Sequence, residues 1–201
     1  MPLKYNCLVI YLCSLIAGVT AQDKITSYND PRISYEGRIA FTKDAAELSW
    51  PGTTATILFR GEAMSALLKD ADTANYFNVI IDDTVIGKIH TDTMVKSYSL
   101  ASGLPNGMHK LQLFKRTEWD KGKTWFYGFQ ASPETEILPA PVPKKRKIEF
   151  YGNSITCGYG IEDSSSNDSG SILKTTIFLM RQLQQGISMP NIRVSQKAAS
   201  E

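Results

Sequence analysis

The chain has 201 residues, of which 42% are hydrophobic, and its formal net charge is +2. Its one compact basic run, residues 144–147, directly follows three alternate prolines and is predicted to be a solvated linker end. A nucleic-acid-binding surface needs basic residues spread over a face with aromatic partners, so the composition argues against a nucleic-acid partner.

The first 21 residues have the features of a secretion signal. Lys4 supplies positive charge, Cys7–Val19 is mostly apolar, and the segment ends in the small residues of Val19-Thr20-Ala21. The apolar run is short for a membrane span, although a retained anchor is the alternative. We therefore predict cleavage after Ala21 and a secreted or periplasmic protein that is not membrane-bound.

Cysteine usage excludes an internal disulfide in the mature chain. Two of the three cysteines lie in the predicted signal, which leaves Cys157 alone. A domain of this size has enough core to fold without a disulfide, and Cys157 is predicted to be a small buried residue. Because no Cys, His and Asp cluster has ligand spacing, we expect neither a metal nor another cofactor.

Residues 22–138 are predicted to form an all-β sandwich. From Ile33 to Phe129, apolar and polar residues alternate with a period of two, and turn dipeptides such as Asp82-Asp83 and Asn106-Gly107 interrupt the pattern. The pattern predicts about eight strands with a jelly-roll topology. The alternating positions are Ala55, Ile57 and Phe59, then Phe77, Val79 and Ile81, and then His109, Leu111 and Leu113.

A linker and the start of a second domain are predicted after the sandwich. Residues 139–147 are predicted to be a linker, which three alternate prolines make extended and semi-rigid. Lys147–Tyr151 reads as the first strand of a parallel sheet that is buried on both faces. Residues 148–201 are therefore predicted to be the incomplete start of an α/β domain.

This strand runs into a turn that carries a serine between glycines, at Gly152-Asn153-Ser154, and α/β hydrolytic folds hold a nucleophile in this position. The triplet resembles the first block of the SGNH (GDSL-like) hydrolases, with Asn153 where Asp is usual. The longer string 148–160 resembles carbohydrate esterase family 2, which includes acetyl xylan esterases. Three further segments resemble that family's N-terminal domain: Leu48–Gly52, Ile57–Gly61 and Trp125–Gly128.

The resemblance implies a jelly-roll sandwich, a short linker and then an α/β/α SGNH-hydrolase domain. It also implies a serine-type esterase that removes O-acetyl groups from plant polysaccharide, xylan above all. Ser154 would be the nucleophile, and its backbone N–H would contribute to the oxyanion hole. The expected partner is an acetylated polysaccharide or oligosaccharide.

The chain departs from the family in the position of its histidines. In the family, the histidine that acts as general base follows the nucleophile in an Asp-x-x-His setting. The only histidines, His90 and His109, both precede Ser154 and lie in the predicted sandwich. The strand pattern predicts that His109 is packed and hydrogen-bonded and that His90 is solvated. Neither residue can be assigned the family's role.

The tail 172–201 is predicted to be out of frame. Codons can be chosen for Lys174–Glu201 that, read one base earlier, give ENNYLSYAAITARHFNAEYPCISKSGIG. That string has the apolar spacing of a helix and then a strand with a glycine turn, which resembles the family's second block. We therefore expect 174–201 to be poorly ordered and this truncated copy to be inactive.

Two non-catalytic functions compete with the esterase. The sandwich could be a carbohydrate-binding module, with Trp119 and Trp125 as the candidate substrate-binding residues and Trp50 and Tyr127 as further aromatic surfaces. Core packing is the alternative for each aromatic residue, and it is weakest for Trp119, which charged residues and glycine surround. The sandwich could also be a structural spacer that docks on a catalytic domain.

Overall fold

The computed structural model describes residues 22–143, together with the backbone of two short strands at Ile148–Phe150 and Ile192–Val194. Residues 22–143 form twelve strands and one 3-10 turn, rather than about eight strands. The additional strands are two to four residues long, which is too short to display a period-two pattern in the sequence. The part described contains no helix able to cross a membrane.

The first sheet contains six antiparallel strands. They are β1 (Lys24–Ser27), β3 (Ile39–Phe41), β4 (Ala46–Leu48), β6 (Met64–Asp70), β9 (Lys96–Ala101) and β11 (Thr124–Ala131). Their order across the sheet is β3-β4-β11-β6-β9, and β1 also pairs with β11. The sheet therefore ends at β3 on one side and at β9 on the other.

The second sheet is also six-stranded and antiparallel. It contains β2 (Ser34–Glu36), β5 (Thr54–Arg60), β7 (Tyr76–Ile81), β8 (Thr84–His90), β10 (Met108–Lys115) and β12 (Glu136–Ile137). Their order is β12-β5-β10-β7-β8, with β2 also paired to β5. From β5 to β11 the chain passes back and forth between the two sheets, with only β7 and β8 adjacent in both sequence and sheet.

One core lies between the sheets, as the alternating pattern predicts. The inward side chains of β5 and β10 are fully buried, and they meet those of the first sheet in a single cluster. Burial of each large side chain stabilises the fold by about 1.5–3 kcal/mol. The fully buried members include Ala55, Ile57, Phe59, Phe77, Leu111 and Leu113 from the second sheet, and Leu48, Leu68, Phe126 and Phe129 from the first.

The β7–β8 hairpin turns at the predicted Asp82-Asp83 dipeptide. Both residues have positive φ, 48° and 66°, which matches the twist of a two-residue hairpin. Such a backbone costs about 1–2 kcal/mol per non-glycine residue, and short polar side chains offset part of this cost by bonding locally. Here the Asp82 carboxylate accepts the Lys110 N–H at 2.8 Å, and Asp83 pairs with the Lys110 ammonium at 2.5 Å.

Gly128 permits β1 to join the first sheet. It lies opposite Ser27, beside a register shift in the pairing of β11 with β6, and its φ is +147°. A Cβ atom there would lie 2.2 Å from the carbonyl oxygen of Thr26. Only glycine allows the two backbones to approach so closely. Gly128 ends the Trp125–Gly128 segment on which the family resemblance partly rests.

A parallel strand pair lies beyond the sandwich. Strand β13 (Ile148–Phe150) falls within the predicted strand Lys147–Tyr151 and pairs in parallel with β14 (Ile192–Val194). The sequence pattern did not predict β14. The rest of the predicted α/β domain and its tail lies outside the described residues, so the α/β/α architecture stays a prediction.

Candidate functional site

The predicted nucleophile, Ser154, lies outside the described residues, as do Cys157 and the predicted signal 1–21. The assignment of Ser154 therefore stays a prediction. The two tryptophans that the sequence proposes for substrate binding, Trp119 and Trp125, are both described. They lie in very different surroundings.

Trp119 is presented on a tight surface turn. It begins the 3-10 turn Trp119–Lys121, which precedes β11, and 49% of the residue is exposed. Two backbone bonds close the turn: Gly122 N–H donates to the Trp119 carbonyl at 3.1 Å, and Lys121 N–H donates to the Glu118 carbonyl at 3.2 Å. The indole is therefore an exposed apolar surface on a defined backbone.

Trp50 lies beside Trp119, a proximity that the sequence did not predict. The two ring centroids are 6.4 Å apart and the ring planes are inclined by 36°. The guanidinium carbon of Arg38 lies 5.8 Å from the Trp50 centroid, within cation–π distance. We call Arg38, Trp50 and Trp119 the tryptophan cleft.

A proline–glycine turn holds Trp50 in place. Pro51 and Gly52 occupy the centre of the turn, Gly52 has φ +78°, and Thr53 N–H donates to the Trp50 carbonyl at 3.2 Å. A proline at the second position of a turn, followed by a residue with positive φ at the third, is typical of a type II turn. The Gly52 N–H also donates to the Lys115 carbonyl at 2.9 Å, which ties the turn to the end of β10.

Trp125 is engaged with its neighbours in the first sheet. Its indole Nε1 donates to Glu47 Oε1 at 3.1 Å, and the Lys69 ammonium lies 5.6 Å from the ring centroid. Both partners lie opposite Trp125 in the register of the adjacent strands. Lys123 completes the arrangement at 2.8 Å from Glu47 and holds the pKa of that carboxyl below its ordinary value. Trp125 is thus a poorer stacking surface than Trp119.

A buried polar network lies beneath these turns, centred on the carboxylate of Asp70, which is 1% exposed. Five donors converge on this carboxylate: the backbone N–H groups of Ala71 and Asn75, the Asn75 side-chain amide, and the hydroxyls of Thr91 and Thr124. A buried carboxylate needs such donors, because burial without them is very costly.

Lys115 extends the network towards the Trp119 turn. Its buried ammonium donates to Asn75 Oδ1 and to the carbonyl and hydroxyl oxygens of Thr117, at 3.2 and 3.0 Å. Burial lowers the pKa of Lys115 to about 7, although Asp70 and Asp120 oppose that shift. Asn75 in turn donates to the Lys121 carbonyl at 2.8 Å. The network therefore ties the 3-10 turn to the sandwich.

His109 forms an aspartate–histidine pair that resembles part of a hydrolytic triad, but its bonding excludes action as a base. Nδ1 lies 2.8 Å from Asp82 Oδ2, and Nε2 lies 2.8 Å from the Pro105 carbonyl. A carbonyl oxygen only accepts, so Nε2 must keep its proton. The prediction of a packed, hydrogen-bonded histidine is confirmed, since His109 is 8% exposed.

The bonding of His109 makes the stability of the sandwich depend on pH. The Pro105 carbonyl first, and the Asp82 carboxylate second, raise the pKa of His109 above its ordinary value. A group whose pKa is raised in the folded state contributes its full stabilisation at pH values below its unfolded-state pKa. This contribution is lost as the pH rises through the folded-state pKa. We expect wild type to exceed His109→Gln in unfolding free energy by more at about pH 5.5 than at about pH 9, as measured by urea denaturation. An equal difference at both pH values would contradict this prediction.

His90 is exposed, as predicted, and lies on the edge strand β8. Its ring stacks on Tyr76 with centroids 4.4 Å apart and an interplanar angle of 8°, and Nε2 lies 2.6 Å from the Thr73 carbonyl. The ring therefore has structural partners within the sandwich. Both histidines of the chain serve such local contacts.

Comparison with known proteins identifies the family to which the described domain belongs. Residues 35–141 match the family model for the carbohydrate esterase 2 N-terminal domain. Cellulase/esterase CelE of Acetivibrio thermocellus is 36% identical over 74% of this chain, which spans 18% of that protein. An acetylxylan esterase/glucomannan deacetylase of Cellvibrio japonicus is 26% identical over 78% of this chain, which spans 44% of that protein.

Among solved structures, a family two carbohydrate esterase from Clostridium thermocellum in complex with cellohexaose has a TM-score of 0.72 and 30% identity. The match covers 82% of this chain and 51% of that one. The chain thus spans about half the length of the solved relative, and less of the curated ones. Because the family model matches more than half of its residues, the chain belongs to carbohydrate esterase family 2, through that family's N-terminal domain.

Proposed function

We propose that this protein is a secreted or periplasmic serine-type carbohydrate esterase, in which the sandwich precedes a hydrolase domain that removes O-acetyl groups from xylan-like polysaccharide. The observation that carries the proposal is the match of residues 35–141 to the family's N-terminal domain. The order along the chain supports it, because strand β13 and then the sequence Gly152-Asn153-Ser154 follow the sandwich and its proline-rich linker. The related acetylxylan esterase supports the substrate class.

In the proposed reaction, Ser154 Oγ attacks the acetyl carbonyl and a general base takes its proton. The ester C–O bond then breaks, and the base returns the proton to the departing sugar oxygen. Water then hydrolyses the acetyl-serine to acetate. A neutral hydroxyl is a weak nucleophile, so the base is essential. The backbone N–H of Ser154 would stabilise the oxyanion, and removal of such a donor typically costs about 100- to 1,000-fold in rate.

We propose that the 201-residue chain is inactive by itself, because neither of its two histidines is available as the general base. Both histidines belong to the sandwich. His109 has acceptors at both ring nitrogens, and His90 is stacked on Tyr76 with a carbonyl at Nε2. A serine without a base should show little reactivity towards an ester at neutral pH.

An ester-hydrolysis assay tests both parts of the proposal. The 201-residue chain is expected to hydrolyse p-nitrophenyl acetate no faster than its Ser154→Ala variant. A second polypeptide has the same residues 1–173, after which the gene is read one base earlier through to the stop codon of that frame, where the family resemblance implies an Asp-x-x-His block. This polypeptide is expected to gain hydrolysis that depends on Ser154. Ser154-dependent turnover by the first chain would overturn the proposed inactivity, and no turnover by the second would overturn the proposed frame.

A further inference from the structure

We propose that the tryptophan cleft on the sandwich is a glycan-binding subsite that holds a neutral pyranose chain. The choice of a glycan rests on the proposed function, but the binding event requires no ester chemistry. The subsite would hold the polysaccharide near the esterase domain through contacts outside the reacting centre.

The geometry of the aromatic rings favours a sugar ligand. Trp119 is half exposed, and its ring lies 6.4 Å from that of Trp50 at an inclination of 36°. The two neighbouring indoles form one aromatic surface, and pyranose rings offer apolar C–H faces that pack on such surfaces. Trp119 is exposed and Trp50 beside it is partly buried, so the pair leaves a contiguous aromatic surface in water, and such a surface can mark an interaction site.

The backbone holds the cleft in its shape before any ligand arrives. A type II turn fixes Trp50, and the 3-10 turn fixes Trp119. The two turns share an anchor in Lys115: its carbonyl accepts the Gly52 N–H, and its ammonium is linked through Asn75 to the Lys121 carbonyl. Little conformational entropy is then lost on binding, which favours affinity.

The charges around the cleft fit a neutral, hydroxyl-rich ligand. Arg38 lies over Trp50, and the Asp120–Lys121 ion pair at 3.0 Å lies in the Trp119 turn. These groups offer both hydrogen-bond donors and acceptors with little net charge. Nucleic acid would need several uncompensated cations, so its phosphate backbone is a poor match.

Trp125, which lies on β11, has different surroundings from Trp119. Its Nε1 is bonded to Glu47 and its ring lies beneath the Lys69 ammonium. Stacking of a sugar on that face would require Lys69 to move. A cation likewise lies over Trp50, where the Arg38 guanidinium is 5.8 Å from the ring centroid. We therefore assign the stacking of the sugar to the half-exposed face of Trp119, with Trp50 and Arg38 beside it.

The test uses the full 201-residue chain in native gels containing xylan or glucomannan, with cellohexaose as a soluble probe for calorimetry. Wild type should be retarded by at least one glycan, and Trp119→Ala should raise the dissociation constant at least about tenfold. Trp119→Phe, which keeps an aromatic face, should retain part of the affinity. Met108→Ala is the matched control, because Met108 is 66% exposed at the opposite end of β10.

Ser154→Ala should bind glycan like wild type, so a failure of the esterase proposal would leave this result unchanged. Two results would overturn the subsite: no retardation of wild type on either glycan, or equal affinity of wild type and Trp119→Ala. A change of oligomeric state in Trp119→Ala, seen by sedimentation without any change in glycan affinity, would identify the cleft as a protein interface and would also overturn it.

Discussion

Replacement of Asp70 by asparagine is expected to lower the free energy of unfolding by about 2–4 kcal/mol, one of the largest effects available in the sandwich. The Asp70 carboxylate accepts five hydrogen bonds in a buried site. Asparagine keeps the shape but turns one acceptor oxygen into an NH₂ donor, which would face donors such as Asn75 and Thr124. Urea denaturation followed by tryptophan fluorescence measures the change.

The same isosteric substitution at Asp44 is the control, because Asp44 is exposed in the β3–β4 connection. It should leave the unfolding midpoint almost unchanged. If Asp70→Asn were as stable as Asp44→Asn, the network would contribute no stability, and its proposed role in holding the Trp119 turn would fail as well.

Gly128→Ala is expected to destabilise the sandwich by at least about 2 kcal/mol. The new Cβ would meet the Thr26 carbonyl oxygen at 2.2 Å and the Ser27 Cα at 3.1 Å, and both are backbone atoms that no rotamer change can move. Strand β1 must therefore separate from β11. Thermal unfolding measures the loss, and amide hydrogen exchange should show faster exchange in Lys24–Ser27.

Gly87→Ala is the matched control within the second sheet. A Cβ at Gly87 would have no neighbour within 4 Å, so the change should cost less than about 1 kcal/mol. A Gly128→Ala protein with the same melting temperature as Gly87→Ala would show that β11 can adjust its path, and the argument from close approach would then be wrong.

The sandwich could be predicted because one physical rule governs its long strands. Ala55, Ile57 and Phe59 alternate with residues on the other face, and burial of one face requires that period. The short strands could not be predicted, since three residues such as Ala46–Leu48 carry too little pattern. Tertiary pairing, rather than local sequence, selects them.

The candidate site was only partly predictable. The charged residues and the glycine around Trp119 correctly indicate an exposed loop. Its partner Trp50 comes from a turn far away in the sequence, and neither segment contains a pattern that indicates their proximity. The burial of Lys115 is weakly indicated by the sequence, because Lys115 is the next residue in the alternating series of Leu111 and Leu113, both of which are buried. The pairing of His109 with Asp82 depends on the register of β10 with β7, which the sequence does not specify.

The borders of the two sheets bear on how the domain behaves when it is concentrated. Strand β12 has two residues and β3 has three, while β8 carries Lys88 and is kinked by a register shift at Val79/Ile80 of its neighbour. The fourth border, β9, begins with the exposed Lys96, and a register shift at Met64/Ser65 interrupts its pairing with β6. Short, charged or kinked borders are poor templates for the addition of foreign strands. The sheet edges of the domain therefore disfavour cross-β stacking between molecules, and concentrated solutions of the protein should not form fibrils.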